Sequence, residues 1–244
     1  MGPYLCLSEV DSFRDLCVVC CYTANNEWST NMTVMAQNDP ALVLEYSSKT
    51  PVISCVIPAY NEEDSIAQTI DSLLSQTRPP DFIHILVNNS SDDTVWESKK
   101  FEGHHNIAQR GAEWEVEVIV TDMGKNPDKK VGALNKGWEL SHTSDYILGV
   151  DGDTILDKKC VEHLINEMEG DSRIGGLSAV YSVDHSDAHG FLSKFLIAGQ
   201  RQQFAGFEMD NLLRNRNMAV LGGQCSLLRV SALKEVCRIN RQSH

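Results

Sequence analysis

The sequence predicts an α/β protein in which a mostly parallel β-sheet is flanked by helices. Short apolar runs rich in β-branched residues alternate with segments of helical period, and three of these runs end in a polar cluster. Alternating strands and helices favour right-handed crossovers and a parallel sheet. Such sheets bind ligands beyond the carboxyl ends of their strands, so the three polar clusters are expected to converge at one edge.

The pattern divides the chain into three parts. Residues 1–50 show no sustained strand or helix period and are predicted to be an irregular N-terminal extension. Residues 51–236 are predicted to form one domain, and residues 237–244 a short C-terminal tail.

The domain is predicted to begin with two strand-turn-helix units. The run Pro51–Pro58 is typical of a strand buried on both faces, and Ser65–Ser75 places its apolar residues on one helical face. A second strand is predicted over Phe82–Val87, and the polar run Asn88–Thr94 after it starts a helix. The elements predicted further along are strands at Val116–Thr121, Tyr146–Val150 and Ile174–Tyr181, and helices at Asp157–Glu169 and Phe191–Arg216.

The fourth strand leads into two carboxylates, Asp151 and Asp153, separated by Gly152. Because successive side chains of an extended strand point to opposite faces, both carboxylates are expected to point to the same side. Hard oxygen ligands of this kind select Mg²⁺ or Mn²⁺, which keep positions open for water or phosphate oxygens. A polar turn is the plainer alternative, because Asp-Gly is a common turn dipeptide.

Composition excludes several classes of protein. The formal net charge of −13 argues against non-specific nucleic-acid binding. The eight cysteines do not have the spacing of a disulfide framework or a structural zinc site. No apolar run is long enough to span a bilayer and no signal peptide is evident, so a cytoplasmic location is expected. From Gly190 onward eight Lys/Arg stand against three Asp/Glu, which suits an anionic ligand or peripheral membrane contact, although a solvated helix face is the plainer explanation.

The usual phosphate-binding loops are absent from the sequence. The turn after the first strand has no G-x-G-x-x-G, and Gly124-Lys125-Asn126 has neither the spacing nor the Ser/Thr of a P-loop. A nucleotide bound here therefore needs another source of positive charge, which a divalent cation at Asp151 and Asp153 supplies.

Five motifs together resemble those of family 2 glycosyltransferases. They occur in that family's order and spacing over about residues 51–235, and five ordered motifs are far more specific than one. The motifs are VIPAYNEE at 56–63, NNSSDDT at 88–94, KVGALN at 130–135, VDGDT at 150–154 and GGQCSLLR at 222–229. The resemblance implies a GT-A (Rossmann-like) fold and a donor that is a nucleotide-diphosphate sugar.

The same resemblance assigns roles to matching residues. It implies that Asp151 contacts the ribose or the metal and that Asp153 ligates the metal. Lys130 is expected near the diphosphate, with a solvated loop lysine as the alternative, because Lys125 and Lys129 compete for the role. The residues implied to line the nucleoside pocket are Pro58, Ala59, Tyr60 and Glu62, and those implied beside the acceptor are Gly222, Gly223 and Gln224.

Asn88 stands where the family often has an aspartate that contacts uracil. An amide has a different donor and acceptor pattern from a carboxylate, so the base stays open. A UDP-sugar is expected first, with GDP- and dTDP-sugars as alternatives. The acceptor is expected to be a carbohydrate, a lipid or a protein.

The resemblance also implies an inverting transfer to an acceptor hydroxyl, which requires a general base. The family's acidic motif for that base is not found before His244, so the chain is expected to be truncated relative to the family. Three hypotheses follow: an active transferase that recruits Asp184, Asp187 or Glu208, a non-catalytic nucleotide-sugar-binding protein, or the donor-binding fragment of a longer or split enzyme.

Overall fold

The computed structural model of the chain describes residues 20–23, 50–109, 111–179, 195–196, 198–199, 202 and 223–242. The described residues form one sheet of eight strands. In chain order the strands are β1 (Cys20–Thr23), β2 (Ile53–Ala59), β3 (Phe82–Val87), β4 (Gly103–Gln109), β5 (Ala112–Asp122), β6 (Tyr146–Val150), β7 (Ile174–Ser178) and β8 (Cys225–Arg229). Across the sheet their order is β1-β7-β8-β6-β2-β3-β5-β4.

The centre of the sheet is parallel and its margins are antiparallel. Strands β6, β2, β3 and β5 run in one direction, with Cys55 of β2 in register with Leu148 of β6 on one side and Ile83 of β3 on the other. Strands β4, β8, β7 and β1 each pair antiparallel with their neighbours. The predicted α/β class is confirmed, and the sheet is mixed, because antiparallel strands extend its parallel centre at both margins.

Helices cover both faces of this sheet. They are α1 (Ile66–Leu74), α2 (Thr94–Lys99), α3 (Lys129–Ser141), α4 (Cys160–Gly170) and α5 (Val230–Gln242). The last helix continues through residue 237, where the tail was predicted to begin, to Gln242. In the predicted N-terminal extension, the structure describes Thr50 and strand β1, which pairs with β7. None of the described helices is long and apolar enough to cross a membrane.

Alternate residues of β2 divide the core into two clusters. Ile53, Cys55 and Ile57 belong to a large cluster that includes the buried side chains of α1 and α4. Val56 lies on the opposite face, in a smaller cluster with Ala133 of α3 and Val230 of α5. Since full burial of an Ile or Leu side chain contributes about 1.5–3 kcal/mol, the larger cluster is the main source of stability.

Candidate functional site

The loops that follow β2, β3 and β6 lie together at one edge of the sheet, as the sequence predicted. The backbone N–H of Asn88, after β3, donates to the carbonyl of Ala59, at the end of β2, over 3.0 Å. The hydroxyl of Thr69 in α1 donates to the carbonyl of Gly152, after β6, over 2.9 Å. These bonds fix the ends of the three strands relative to one another and make this edge the candidate site.

The loop after β2 is bonded to the loop after β3. Asn61 has a left-handed backbone with φ of 54°. Its backbone N–H donates to Ser90 Oγ over 3.0 Å, and its side-chain oxygen accepts from the N–H of Ser91 over 2.9 Å. Tyr60 in this turn is 57% exposed, beside buried Ala59 and half-buried Pro58, so it is accessible to a ligand.

Asn88, the residue predicted to meet the base, is only 3% exposed. Its Nδ2 donates to the Ala59 carbonyl over 3.1 Å, and its Oδ1 accepts from Asn89 Nδ2 over 3.2 Å. The carboxamide therefore keeps one N–H and one acceptor position beyond these bonds.

Asn89 joins β3 to the loop before α3, a contact that the sequence reasoning missed. Asn89 Oδ1 accepts from the N–H of Asn126 over 2.9 Å, while Asn89 Nδ2 donates to the Asn126 carbonyl over 2.8 Å. The side chain of Asn126 in turn donates to the Lys129 carbonyl over 2.8 Å and accepts from the N–H of Asp128 over 3.1 Å. Two asparagines thus set where α3 begins. A local signal was available only for the bonds that Asn126 makes within its own loop, because Asn and Asp favour such side-chain bonds at helix starts.

Gly132 is required by this arrangement. A Cβ at that position would lie 2.5 Å from Asn126 Oδ1, so any larger residue must displace the Asn126 carboxamide. The glycine of the KVGALN motif therefore protects the contact that holds the first turn of α3.

Lys130 lies in that first turn, and its Nζ donates to Asp151 Oδ1 over 2.6 Å. The side chains are 56% and 24% exposed respectively. In the described part of the chain, neither Lys125 nor Lys129 forms an ion pair, so Lys130 is the lysine that reaches the carboxylate pair. The alternative interpretation placed Lys130 in a solvated loop, whereas the structure places it in helix α3.

The segment Asp151–Asp153 is a turn, so the strand alternation assumed for it is wrong. Strand β6 ends at Val150. The Asp151 N–H still donates to the Gln224 carbonyl over 3.1 Å, but the Thr154 N–H then donates to the Asp151 carbonyl over 3.2 Å and closes the turn. Asp151 is partly buried, whereas Asp153 is exposed.

Glu62 adds a third carboxylate to this turn. Gly152 is buried, and a Cβ on it would lie 3.0 Å from Glu62 Cγ, so the glycine allows the two loops to pack. Burial raises the pKa of the Glu62 carboxyl, the hydrogen bond from Ser65 opposes that rise, and the charges of Asp153 and Asp151 add to it. Only the contribution from the neighbouring carboxylates reflects negative charge that a bound cation would relieve.

The carboxylates are oxygen ligands of the kind that a divalent cation prefers, but they do not form a complete set. Within the described residues, no group of three or more His, Cys, Asp or Glu side chains is arranged to hold a metal ion. Asp151 and Asp153 nevertheless offer the oxygen donors that Mg²⁺ and Mn²⁺ prefer. The ammonium group of Lys130 against Asp151 Oδ1 shows that this position accepts positive charge.

The acceptor-side segment is described only from Gly223 onward. Gly223 is exposed, and a Cβ on it would meet nothing within 4 Å. Gln224 lies next to Asp151 through its backbone carbonyl. Gly222 and the three candidate bases, Asp184, Asp187 and Glu208, lie outside the described residues, so their roles stay predictions.

Comparison with known proteins agrees with these motifs. The sequence pattern described as "Glycosyl transferase family 2" matches residues 54–237, which include the turns after β2, β3 and β6. The chain belongs to glycosyl transferase family 2.

Two curated relatives of this glycosyltransferase chain come from bacteria. The probable glycosyltransferase YdaM of Bacillus subtilis (strain 168) is 27% identical over 154 residues, which are 62% of this chain and 34% of YdaM. A poly-beta-1,6-N-acetyl-D-glucosamine synthase of Staphylococcus epidermidis is 24% identical over 203 residues, which are 82% of this chain and 44% of the synthase. The chain therefore spans less than half the length of either relative.

A solved structure shows the same fold. The mannosyltransferase PcManGT from Pyrobaculum calidifontis, in complex with GDP-Man and Mn²⁺, superposes with a TM-score of 0.53 and 15% sequence identity. The match covers 78% of this chain and 47% of PcManGT.

Proposed function

We propose that this chain binds a nucleotide-diphosphate sugar and transfers the sugar to an acceptor hydroxyl with inversion, in a reaction that depends on Mn²⁺ or Mg²⁺. The observation that carries the proposal is the juxtaposition of Asp151, Asp153 and Lys130 at the edge where β2, β3 and β6 end. It is supported by membership of glycosyl transferase family 2 and by the GDP-Man and Mn²⁺ bound to the structurally similar mannosyltransferase.

One group of site residues would bind the base of the donor, and a second group would bind its diphosphate and the cation. The exposed ring of Tyr60 would stack on the base, beside Pro58 and Ala59, with Asn88 offering its remaining N–H or acceptor position. Asp151 and Asp153 would hold the cation, and Lys130 would balance the charge of the diphosphate. When bound, the cation supplies Lewis-acid stabilisation of the departing diphosphate.

The transfer itself is an in-line displacement. The acceptor oxygen forms a bond to the anomeric carbon, while the bond from that carbon to the phosphate oxygen breaks and its electron pair leaves with the nucleoside diphosphate. The hydroxyl proton passes to a general base, for which Asp184, Asp187 and Glu208 remain the candidates. Attack from the side opposite the leaving group produces the inversion.

The donor site is tested by thermal unfolding of the purified chain with UDP, GDP or dTDP and their common sugar conjugates, each with Mn²⁺, Mg²⁺ or EDTA. A ligand at about a hundred times its Kd adds about 2.7 kcal/mol to the free energy of unfolding. For a chain of this size that corresponds to a rise in Tm of about 5–10 °C. We expect the rise with one nucleotide and a divalent cation, and its loss in EDTA.

Two variants test whether the metal-dependent rise in Tm arises at the proposed site. Asp153→Ala should abolish the metal-dependent rise, while Glu167→Ala, which removes the same charge from an exposed position of α4, should retain it. A rise that persists in Asp153→Ala, or that is the same in EDTA, contradicts the proposed site. Release of nucleoside diphosphate from the responding nucleotide sugar, with an oligosaccharide acceptor, then measures transfer separately from binding.

A further inference from the structure

The ion pair between Lys130 and Asp151 places a protein cation on one of the two carboxylates proposed to hold the metal. The Nζ to Oδ1 distance is 2.6 Å. The ammonium group therefore blocks a position that a divalent cation would use, and its positive charge opposes such a cation anywhere near Asp151.

The backbone of Lys130 is held in place, whereas its side chain is free to move. The Asn89 and Asn126 carboxamides fix the start of α3. Further along the same helix, Gly137 packs directly against Val56 of β2. The Lys130 side chain itself is 56% exposed, and its four-carbon stem allows the ammonium group to move by several ångströms.

A nucleoside diphosphate changes the balance of charge at this site. It brings negative oxygens that attract both the ammonium group and a divalent cation. Once those oxygens are present, Lys130 can exchange Asp151 for phosphate, and the Asp151 carboxylate becomes free to ligate the metal.

We propose that Lys130 is an exchangeable counter-ion of Asp151 that makes metal binding depend on the nucleotide. This inference rests on the donor site proposed above. In the free protein Lys130 occupies Asp151 and weakens metal binding. In the nucleotide complex it neutralises the diphosphate and no longer competes. Metal and nucleotide therefore bind with positive coupling, and Lys130 is its source.

The test measures Mn²⁺ affinity by the electron paramagnetic resonance signal of free Mn²⁺, which disappears on binding. Titrations are made with the wild-type chain, Lys130→Met, Lys130→Arg and Lys125→Met, first with Mn²⁺ alone and then with saturating UDP, GDP or dTDP. Lys125→Met is the matched control, because it removes the same charge from an exposed position a few residues away.

Without nucleotide, Lys130→Met should bind Mn²⁺ about three- to fivefold more tightly than the wild type, the range that an exposed ion pair supports. Lys130→Arg and Lys125→Met should stay within about 1.5-fold of the wild type, because the first keeps a cation and the second is screened by solvent and salt. The factor by which nucleotide tightens Mn²⁺ binding should be large in the wild type and reduced in Lys130→Met.

The outcomes separate this inference from the proposed function. Equal changes in Lys130→Met and Lys125→Met, or none in either, with nucleotide-dependent Mn²⁺ binding intact, would overturn the counter-ion role alone. If the wild-type chain binds Mn²⁺ with none of the three nucleotides, the donor site is refuted and the counter-ion role with it. Lys130 is exposed, so the circular dichroism and Tm of the free variants should match the wild type.

Discussion

The packing of α3 on β2 leads to a quantitative prediction for Gly137→Ala. Gly137 is buried against Val56, and a Cβ built on it would lie 2.3 Å from Val56 Cγ1 and 2.9 Å from Cγ2. Carbon atoms in favourable contact are about 3.5–4.0 Å apart. The helix must therefore withdraw by about 1 Å or more, because the β-branched Val56 side chain is restricted at χ1.

Two opposing effects set the size of the change. Replacing Gly with Ala inside a helix favours folding by about 1 kcal/mol. Overpacking a well-filled core costs about 1–3 kcal/mol. Because the 2.3 Å approach puts this clash at the upper end of that range, we expect Gly137→Ala to lower the free energy of unfolding by about 1–2 kcal/mol.

The prediction is checked by urea unfolding of Gly137→Ala, Val56→Ala and the double variant. Val56→Ala alone should cost about 2 kcal/mol, because it removes buried methyl groups. The double variant should be more stable than the sum of the two single effects by at least about 1 kcal/mol, because the new methyl then fills the space left by the old ones.

Gly170→Ala is the control, because a Cβ at that end of α4 meets nothing within 4 Å. It should be neutral or slightly stabilising. Strict additivity of the two core substitutions, or a Gly137→Ala variant as stable as Gly170→Ala, would refute the packing argument.

Two further predictions concern stability away from the site. Arg229→Met should lower the free energy of unfolding by about 2–3 kcal/mol. The guanidinium group donates to Tyr146 Oη over 2.9 Å and to the carbonyls of Ile174 over 2.9 Å and Met168 over 2.7 Å, and the variant loses all three bonds. If urea unfolding shows a loss no larger than that of Tyr146→Phe, this prediction is contradicted. Burial lowers the pKa of His84 below its ordinary 6.5, so the unfolded chain binds the proton more readily and stability should fall as pH drops through 6.5 towards the folded pKa. Urea unfolding between pH 5 and 8 should show a smaller loss in His84→Gln, and an equal loss in both proteins would rule His84 out.

Three strands of the parallel centre, β2, β3 and β6, could be predicted because each is buried on both faces. Phe82–Val87 was predicted with the bounds that the structure has for β3, where all residues after Phe82 are buried. The predicted helix at 157–169 corresponds to α4, in which Val161, Leu164, Ile165 and Met168 are all buried at helical spacing. Continuous apolar runs and a clear helical period are direct consequences of such burial.

Two elements gave no comparable signal. Strand β4 lies at the edge of the sheet, and its residues alternate between half-buried and exposed, so its composition is polar. Helix α3 buries Ala133, Gly137 and Ser141, one small residue every four. Small residues allow close approach to β2, but they contribute little to a hydrophobic pattern, so the helix was not predicted.

At the site, sequence patterns identified the charged residues but not the hydrogen bonds that hold them in position. The convergence of the three loops followed from the parallel order of β2, β3 and β6. The bonds between Asn89 and Asn126 depend on two loops 37 residues apart meeting in three dimensions, which no local pattern contains. The turn at Asp151–Asp153 was indicated only by its Asp-Gly dipeptide, as the alternative to a continued strand, because an apolar strand does not indicate the residue at which it ends.

Helix α3 connects the packing of Gly137 on Val56 to the proposed donor site. A comparison of two destabilising variants, Gly137→Ala and Arg229→Met, tests this connection. Tyr146 begins β6 and Asp151 follows its other end, so the Arg229 contacts lie at the opposite end of that strand from the carboxylates. Arg229→Met should therefore destabilise the fold without altering Mn²⁺ affinity in the nucleotide complex. Gly137→Ala costs less stability but moves the helix that carries Lys130, so it should weaken the coupling between Mn²⁺ and nucleotide. If both variants change the coupling equally, global stability rather than the position of α3 controls the site.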